Sequence, residues 1–258
     1  MTHSRTSNTS SSFGFTLVEL AIALMVIGLL IGGVLKGQEL IENSRVTRMV
    51  KDLADYEAAV MIFRDRFDDL PGDVRKPTLI PNCTGTCANL TGVGNGQIAE
   101  STNSGNPAGA HKARNFWVHL SRAGLADGVD ETKDYSEVSP QHVLDGHLIA
   151  AHTATGISTL PTDPRLNTLI ITDTPPSGSN YHRSFSNMRR AGSMDAKMDD
   201  GNPNNGTIVI GRTVQFPSYS LSNGTPSSCI NVAENEYLGS TNTGSGYCIL
   251  LVRLGSLQ

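Results

Sequence analysis

The sequence of 258 residues has few charged side chains, and this scarcity excludes several classes of protein. It holds 20 Lys and Arg against 24 Asp and Glu, so it lacks the basic excess typical of nucleic-acid binding. Charged residues make up only 17% of the chain, and this composition excludes a coiled-coil rod and a collagen-like chain. Only one long apolar run is present, which excludes a polytopic membrane protein.

Local signatures of common enzymes are also missing. The patterns G-x-S-x-G, H-E-x-x-H and the Walker phosphate loop do not occur. The glycines at residues 92–96 lack the preceding strand and following helix that a phosphate-binding loop needs. His142, His147 and His152 recur every five residues, a spacing that does not align them on a helix. We therefore expect no enzymatic activity.

Cysteine is scarce, and no C-x-x-C pair of the kind found in zinc sites occurs. In an exported domain the four cysteines suit two disulfides. Cys83 and Cys87 would close a tight loop, and Cys229 and Cys248 would close a longer, glycine-containing one. Four cysteines allow three disulfide connectivities. We favour the pairing of nearest neighbours in the sequence, Cys83 with Cys87 and Cys229 with Cys248.

The single apolar run covers residues 15–35, and Glu19 is its only ionisable side chain. At about 1.5 Å per residue a helix of this length matches the roughly 30 Å hydrocarbon core of a bilayer. The run is longer than the apolar region of a secretory signal, and residues 31–34 make a poor signal-peptidase site. We therefore predict a transmembrane helix.

Glu19 is an unusual residue for that position, because a carboxylate in hydrocarbon costs about 2.5–3.5 kcal/mol on insertion scales. No Lys, Arg or His lies within the run. Cleavage after Gly14 would create an α-amino group on Phe15, one helical turn before Glu19. That amine could pair with Glu19 of the same chain or of a packed neighbour. The alternative is a carboxylate that lies near the lipid headgroups.

The segment GFTLVEL at residues 14–20, followed by the apolar run, resembles the prepilin-type cleavage and methylation segment. Type IV pilins and type II secretion pseudopilins share this segment. The resemblance implies that a membrane peptidase removes residues 1–14 by cutting between Gly14 and Phe15, and N-methylates Phe15. It also implies that Glu19 aligns subunits during filament assembly.

The same resemblance implies a structural subunit of a type IV pilus or of a type II secretion pseudopilus. Its partners would be other pilin or pseudopilin subunits, the prepilin peptidase/methylase, the inner-membrane assembly platform and the lipid bilayer. The location would be the bacterial inner membrane, with the head in the periplasm, and later the filament. Many major pilins have a proline where this chain has Lys36, which favours a minor pilin or pseudopilin.

The charges that flank the apolar run bear on the orientation of the head. The basic residues Lys36, Arg45 and Arg48 follow the apolar run, contrary to the positive-inside rule for a periplasmic head, although long domains translocate largely regardless of such charge. The alternative is a membrane-tethered periplasmic binding protein or enzyme that keeps its anchor. The sequence does not separate pilus from pseudopilus, nor adhesion from secretion, motility or DNA uptake.

Apolar residues continue at helical spacing beyond the membrane segment, from Val46 to Phe67, and Pro71-Gly72 ends the pattern. A helix over residues 15–70 would be about 80 Å long. We expect a loop-rich head over 71–258, mostly loop over 72–113. Short helices are predicted over 114–125 and 188–198, and strands over 169–172, 207–210 and 247–252, the last one central. The fold class is α+β and pilin-like, with a small antiparallel sheet on the long helix.

Acidic residues cluster at Asp195, Asp199 and Asp200, near the C-terminus of the second short helix. Negative charge there opposes the helix dipole, and like charges at this spacing repel. A solvated or salt-bridged helix end, with Lys197, Arg189 or Arg190 as cation, is the interpretation we favour. Calcium, also bound by the amide oxygens of Asn202 and Asn204, is the alternative. No other cofactor is expected.

Overall fold

The computed structural model describes residues 15–88, 93–98, 107–133, 137–154, 165–172, 185, 187–204, 206–211, 213–216, 219–222, 229–231, 236–237 and 249–255. The chain divides into two compact units, Met1–Ser44 and Arg45–Gln258. The helices are α1 (Leu17–Phe67), α2 (Pro107–Arg122) and α3 (Met188–Met198), with single 3-10 turns at Pro77–Leu79 and Gly85–Cys87. The strands are β1 (Leu148–Ala154), β2 (Arg165–Ile171), β3 (Ile208–Gly211), β4 (Thr213–Phe216), β5 (Tyr219–Ser222), β6 (Ile230–Asn231), β7 (Glu236–Tyr237) and β8 (Ile249–Arg253).

Helix α1 is continuous over 51 residues, as the absence of proline predicts. It ends at Phe67, three residues before the predicted end. Asp68 adopts a left-handed backbone conformation, with φ of 56°, and its N–H donates to the Arg64 carbonyl at 2.9 Å. A left-handed residue just after the last turn is a common helix terminator, so the helix stops before Pro71 is reached.

The part of α1 that belongs to the second unit buries the predicted apolar face. Its buried residues are Val46, Met49, Leu53, Ala59, Val60, Phe63 and Phe67. Tyr56 packs edge-on against Trp117 of α2, with ring centroids 5.0 Å apart. On the opposite side, the ammonium of Lys51 lies 2.5 Å from the carboxylate of Asp55, and both side chains are exposed. This half of α1 is therefore the core helix of the head.

The main sheet has the order β1-β2-β8-β3, and every pair in it is antiparallel. Strand β8 lies inside the sheet, as predicted. One row of apolar residues, Ala150, Leu169, Val252 and Ile208, belongs to the core cluster that includes α1. A second row, Ile149, Ile170, Leu251 and Val209, points to the other face and is also buried. The sheet is thus buried on both faces.

Strands β1 and β4 to β7 were not predicted from the sequence, and helix α2 has a different start. Helix α2 begins at Pro107 rather than at Arg114, so it extends into the segment predicted as loop. Strand β1 was not predicted, because its alanines lack the β-branched pattern of the other strands. It forms by pairing with β2 along its whole length, an interaction that a local pattern cannot show.

Candidate functional site

The predicted processing position lies at the start of the described chain. Gly14 and the rest of residues 1–14 are outside the described residues, whereas the side chain of Phe15 is 88% exposed. Helix α1 begins two residues later, at Leu17. Phe15 therefore lies outside the helix.

Thr16 and Glu19 form a capping box at the N-terminus of α1. The N–H and the hydroxyl of Thr16 donate to Oε2 of Glu19 at 2.9 and 2.8 Å. The N–H of Glu19 donates in turn to the hydroxyl of Thr16 at 3.2 Å. This reciprocal arrangement satisfies backbone donors that have no partner inside the helix. A carboxylate in the first turn also interacts favourably with the helix dipole.

The capping box gives Glu19 a partner that the sequence argument missed. This partner is a hydroxyl and a backbone N–H and not a cation, and the T-x-x-E spacing of Thr16 and Glu19 is itself a sequence signal of a helix start. The box uses only Oε2. Oε1 accepts no hydrogen bond from the described residues, so pairing with the amine of Phe15 stays a prediction.

The first half of α1 exposes its apolar side chains all round. Leu17, Leu24, Met25 and Leu29 are each at least 63% exposed, and the stretch is long and apolar enough to cross a membrane. None of its most apolar window is buried inside the protein. This distinguishes the stretch from the core helix of a soluble domain, which passes the same test of length and composition but is mostly buried.

The acidic residues at the end of α3 lie together in space. A carboxylate oxygen from each of Asp195, Asp199 and Asp200 is within 4.8 Å of one from each of the other two. Asp195 is fully buried, and the other two are exposed. Within the described part of the chain, none of the three forms an ion pair with a Lys or Arg, Lys197 included.

Tyr237 of β7 is a member of this cluster that the sequence did not indicate. Its hydroxyl donates to Oδ2 of Asp195 at 2.7 Å, across 42 positions of sequence. Burial, reinforced by the carboxylates of Asp200 and Asp199, raises the pKa of Asp195 to about 6 against the opposing hydrogen bond from Tyr237. Burial and the same hydrogen bond raise the pKa of Tyr237.

Asn202, one of the two residues predicted to assist this cluster, shapes the loop after α3. The N–H of Asn202 donates to Oδ1 of Asp200 at 2.8 Å, and the side-chain oxygen of Asn202 accepts from the N–H of Asn204 at 3.1 Å. Gly201, two residues beyond the cap residue Asp199, has a φ of 77°. These two hydrogen bonds hold the loop after α3 in successive turns. The carboxylates of Asp195, Asp199 and Asp200 are the main anionic groups at this end of α3.

The disulfide between Cys83 and Cys87 is present, as predicted. Both thiols are therefore unable to bind a metal with the neighbouring His119. Cys229 is buried and disulfide-bonded. Cys248 lies outside the described residues, so the pairing of Cys229 with Cys248 stays a prediction.

His119 of α2 is fully buried beside this disulfide. The N–H of Gly72 donates to its Nδ1 at 3.0 Å, so Nδ1 carries no proton. Nε2 therefore bears the proton and donates to the Cys87 carbonyl at 3.1 Å. Burial lowers the pKa of His119 to about 4, despite the opposing hydrogen bond to Cys87. The imidazole is neutral at physiological pH and joins α2 to two loops.

A buried ion pair holds the glycine-containing segment of residues 93–98, which we call the glycine loop. Asp73 accepts hydrogen bonds from the N–H groups of Gly94 and Gly96 at 2.9 and 2.7 Å. The ammonium of Lys112 lies 2.8 Å from Oδ1 of Asp73, and both side chains are buried. It also donates to Oδ1 of Asn95 at 3.1 Å. The backbone donors of the loop thus bind a carboxylate of the same chain.

No protein-family model, curated protein or solved structure matches this chain.

Proposed function

We propose that the protein is a structural subunit of a type IV pilus or a type II secretion pseudopilus. It is inserted in the bacterial inner membrane, cleaved between Gly14 and Phe15, N-methylated on Phe15, and then assembled into a filament. In the membrane its head lies in the periplasm. The role is structural, and it requires no catalytic residues.

One combination of features carries this proposal. The cleavage pattern of residues 14–20 stands directly before a helix whose apolar side chains are exposed all round. The same helix then continues into the second unit, where one face of its second half is buried in a core that also contains residues of the antiparallel sheet. A simple membrane anchor needs only the exposed apolar helix. A subunit that packs through its apolar helix while carrying a folded head needs the exposed apolar helix and its continuation into the head.

The leader tests this proposal against the tethered alternative. Intact-mass analysis of the membrane-extracted protein should show the loss of residues 1–14 and the gain of one methyl group. Gly14→Val should leave a membrane-bound precursor, because a bulky residue at the scissile position hinders the close approach of the peptidase.

Gly28→Val is a matched control, since an added side chain at Gly28 meets nothing within 4 Å. This variant should be processed like the wild type. Processing of Gly14→Val at the wild-type rate would contradict the proposal. A wild-type protein that keeps residues 1–14 would favour a tethered binding protein or enzyme.

A further inference from the structure

Asn95 of the glycine loop is followed by Gly96, and an asparagine before a glycine is chemically labile. The backbone nitrogen of the glycine can attack the side-chain carbonyl carbon of the asparagine, because no glycine side chain hinders the approach. A new N–C bond closes a succinimide ring, and the side-chain amide nitrogen takes up the proton of the attacking N–H and leaves as ammonia. Water then opens the ring to aspartate or isoaspartate. Asn95 is exposed, so water has access to it.

The attacking nitrogen is held by a buried carboxylate. The N–H of Gly96 donates to Oδ2 of Asp73 at 2.7 Å, a short hydrogen bond to a charged acceptor. Asp73 is 2% exposed, and its other oxygen lies 2.8 Å from the ammonium of Lys112. An N–H in such a bond exchanges its proton with solvent only after the bond opens. Cyclisation has the same requirement, because the nitrogen must give up that proton.

The side chain under attack is fixed as well. Oδ1 of Asn95 accepts from the N–H of Gln97 and from the ammonium of Lys112, both at 3.1 Å. Its Nδ2 donates to Oε1 of Gln97 at 3.3 Å. Ring closure depends on the alignment of the two reacting atoms, and these contacts hold the amide in one orientation. Lys112 therefore restrains both reactants, Asn95 directly and Gly96 through Asp73.

We propose that Asn95 is a latent site of self-modification, which the closed glycine loop keeps unreacted and which deamidates when the pair of Asp73 and Lys112 opens. The rate in the folded head is then the rate of an unfolded peptide multiplied by the fraction of molecules with an open loop. The only co-reactant is water. This inference concerns the head alone and does not depend on the proposed function.

Deamidation would make an opening of the loop irreversible. A carboxylate at position 95 would lie beside the ammonium of Lys112, where it competes with Asp73 for the same cation. Isoaspartate also adds one methylene to the main chain before Gly96, which displaces the N–H that binds Asp73. A head that has opened would thus carry a permanent chemical record and would close less well.

Peptide mapping of the full chain tests the site, with the folded protein in detergent compared with the same protein unfolded in urea. The readout is conversion of the amide to the acid at position 95, together with its isoaspartate content. The Asn–Gly pairs at residues 205–206 and 223–224 are reference sites for the unfolded chain. Asn95 should react in urea at a rate similar to theirs, and at least about tenfold more slowly in the folded protein.

Two variants distinguish opening of the loop from unfolding of the head. Lys112→Met removes the cation that restrains both reactants, so folded Lys112→Met should deamidate at position 95 at least about tenfold faster than folded wild type. Leu53→Ala shortens a buried core side chain of α1 that makes none of the hydrogen bonds of the loop, and it should deamidate like the wild type. Both are measured at a temperature at which circular dichroism shows them folded.

Three results would overturn the proposal. The first is a folded wild type that deamidates at position 95 as fast as the chain in urea, or faster, which would make Asp73 a base that promotes the reaction. The second is a rate that Lys112→Met leaves unchanged. The third is an equal increase in Lys112→Met and Leu53→Ala, which would assign the reaction to unfolding of the whole head.

Discussion

Glu19 has two separable properties, a charge and a capping geometry. The capping box needs only an acceptor at Oε2, which an amide can also supply, whereas pairing with an amine needs the negative charge. The structure makes it possible to vary one property while keeping the other.

Glu19→Gln and Thr16→Val form a matched pair for this purpose. The first keeps the capping box and removes the charge, whereas the second keeps the charge and removes the two hydrogen bonds of the box that use the Thr16 hydroxyl. If Glu19 pairs with the amine of Phe15 in the filament, Glu19→Gln leaves that amine buried without a partner, which typically costs about 3–5 kcal/mol. Its incorporation should fall at least about tenfold, while Thr16→Val should assemble like the wild type.

The measurement is the content of tagged wild-type and variant subunits in sheared filaments from cells that co-express both. Membrane levels and cleavage after Gly14 should be normal for both variants. Equal incorporation of Glu19→Gln and wild type would show that the charge has no role in assembly. A defect confined to Thr16→Val would assign the function of Glu19 to capping alone.

At the scale of elements, the pair of Asp73 and Lys112 connects three segments that are distant in the sequence. Asp73 follows the end of α1, the glycine loop binds its carboxylate, and Lys112 lies on α2. Gly72 is part of the same junction. A side chain at Gly72 would lie 2.6 Å from the Lys112 carbonyl.

Lys112→Met should destabilise the head by about 3–5 kcal/mol, because it leaves the Asp73 carboxylate buried without a cation. The double variant Asp73→Asn, Lys112→Met should lose less than the sum of the two single variants. Urea unfolding of the full chain in detergent gives the free energies. Lys51→Met, which breaks the exposed pair with Asp55, should cost less than about 1 kcal/mol and serves as the control. Equal costs for the two lysine variants would contradict this account.

Sequence patterns predicted some elements well and missed others for a physical reason. The buried face of α1 and the interior position of β8 follow from residue type and spacing. Strand β1 and the contact between Tyr237 and Asp195 depend on partners far along the chain. The processing segment is a local motif, so its assignment comes from the sequence alone and stays a prediction. The sequence predicted the acidic residues at the end of α3, but not the contact of Asp195 with Tyr237.

Stability of the whole head should depend on pH through His119. The folded pKa is about 4, below the ordinary value of 6.5, so the unfolded chain binds a proton at a higher pH than the folded one. The neutral imidazole of His119 therefore contributes its full share to the free energy of unfolding above pH 6.5. This contribution is lost as the pH falls from 6.5 to about 4. The full loss is about 3 kcal/mol. The raised pKa of Asp195 acts in the opposite direction over part of this range.

The variant His119→Gln separates these effects, because glutamine can replace both hydrogen bonds and does not titrate. Its unfolding free energy should decrease less than that of the wild type between pH 7 and pH 4.5. Parallel pH profiles for wild type and His119→Gln would show that the buried imidazole does not control acid stability.

The glycine loop has a consequence for what this head can recognise. Its two backbone donors would suit a free phosphate, but they already bind a carboxylate fixed to the same chain. A tethered group competes at an effective concentration that is typically in the millimolar range or above. A diffusible anion would have to displace Asp73 and also separate it from Lys112. The loop therefore joins parts of the head and is closed to competing anions.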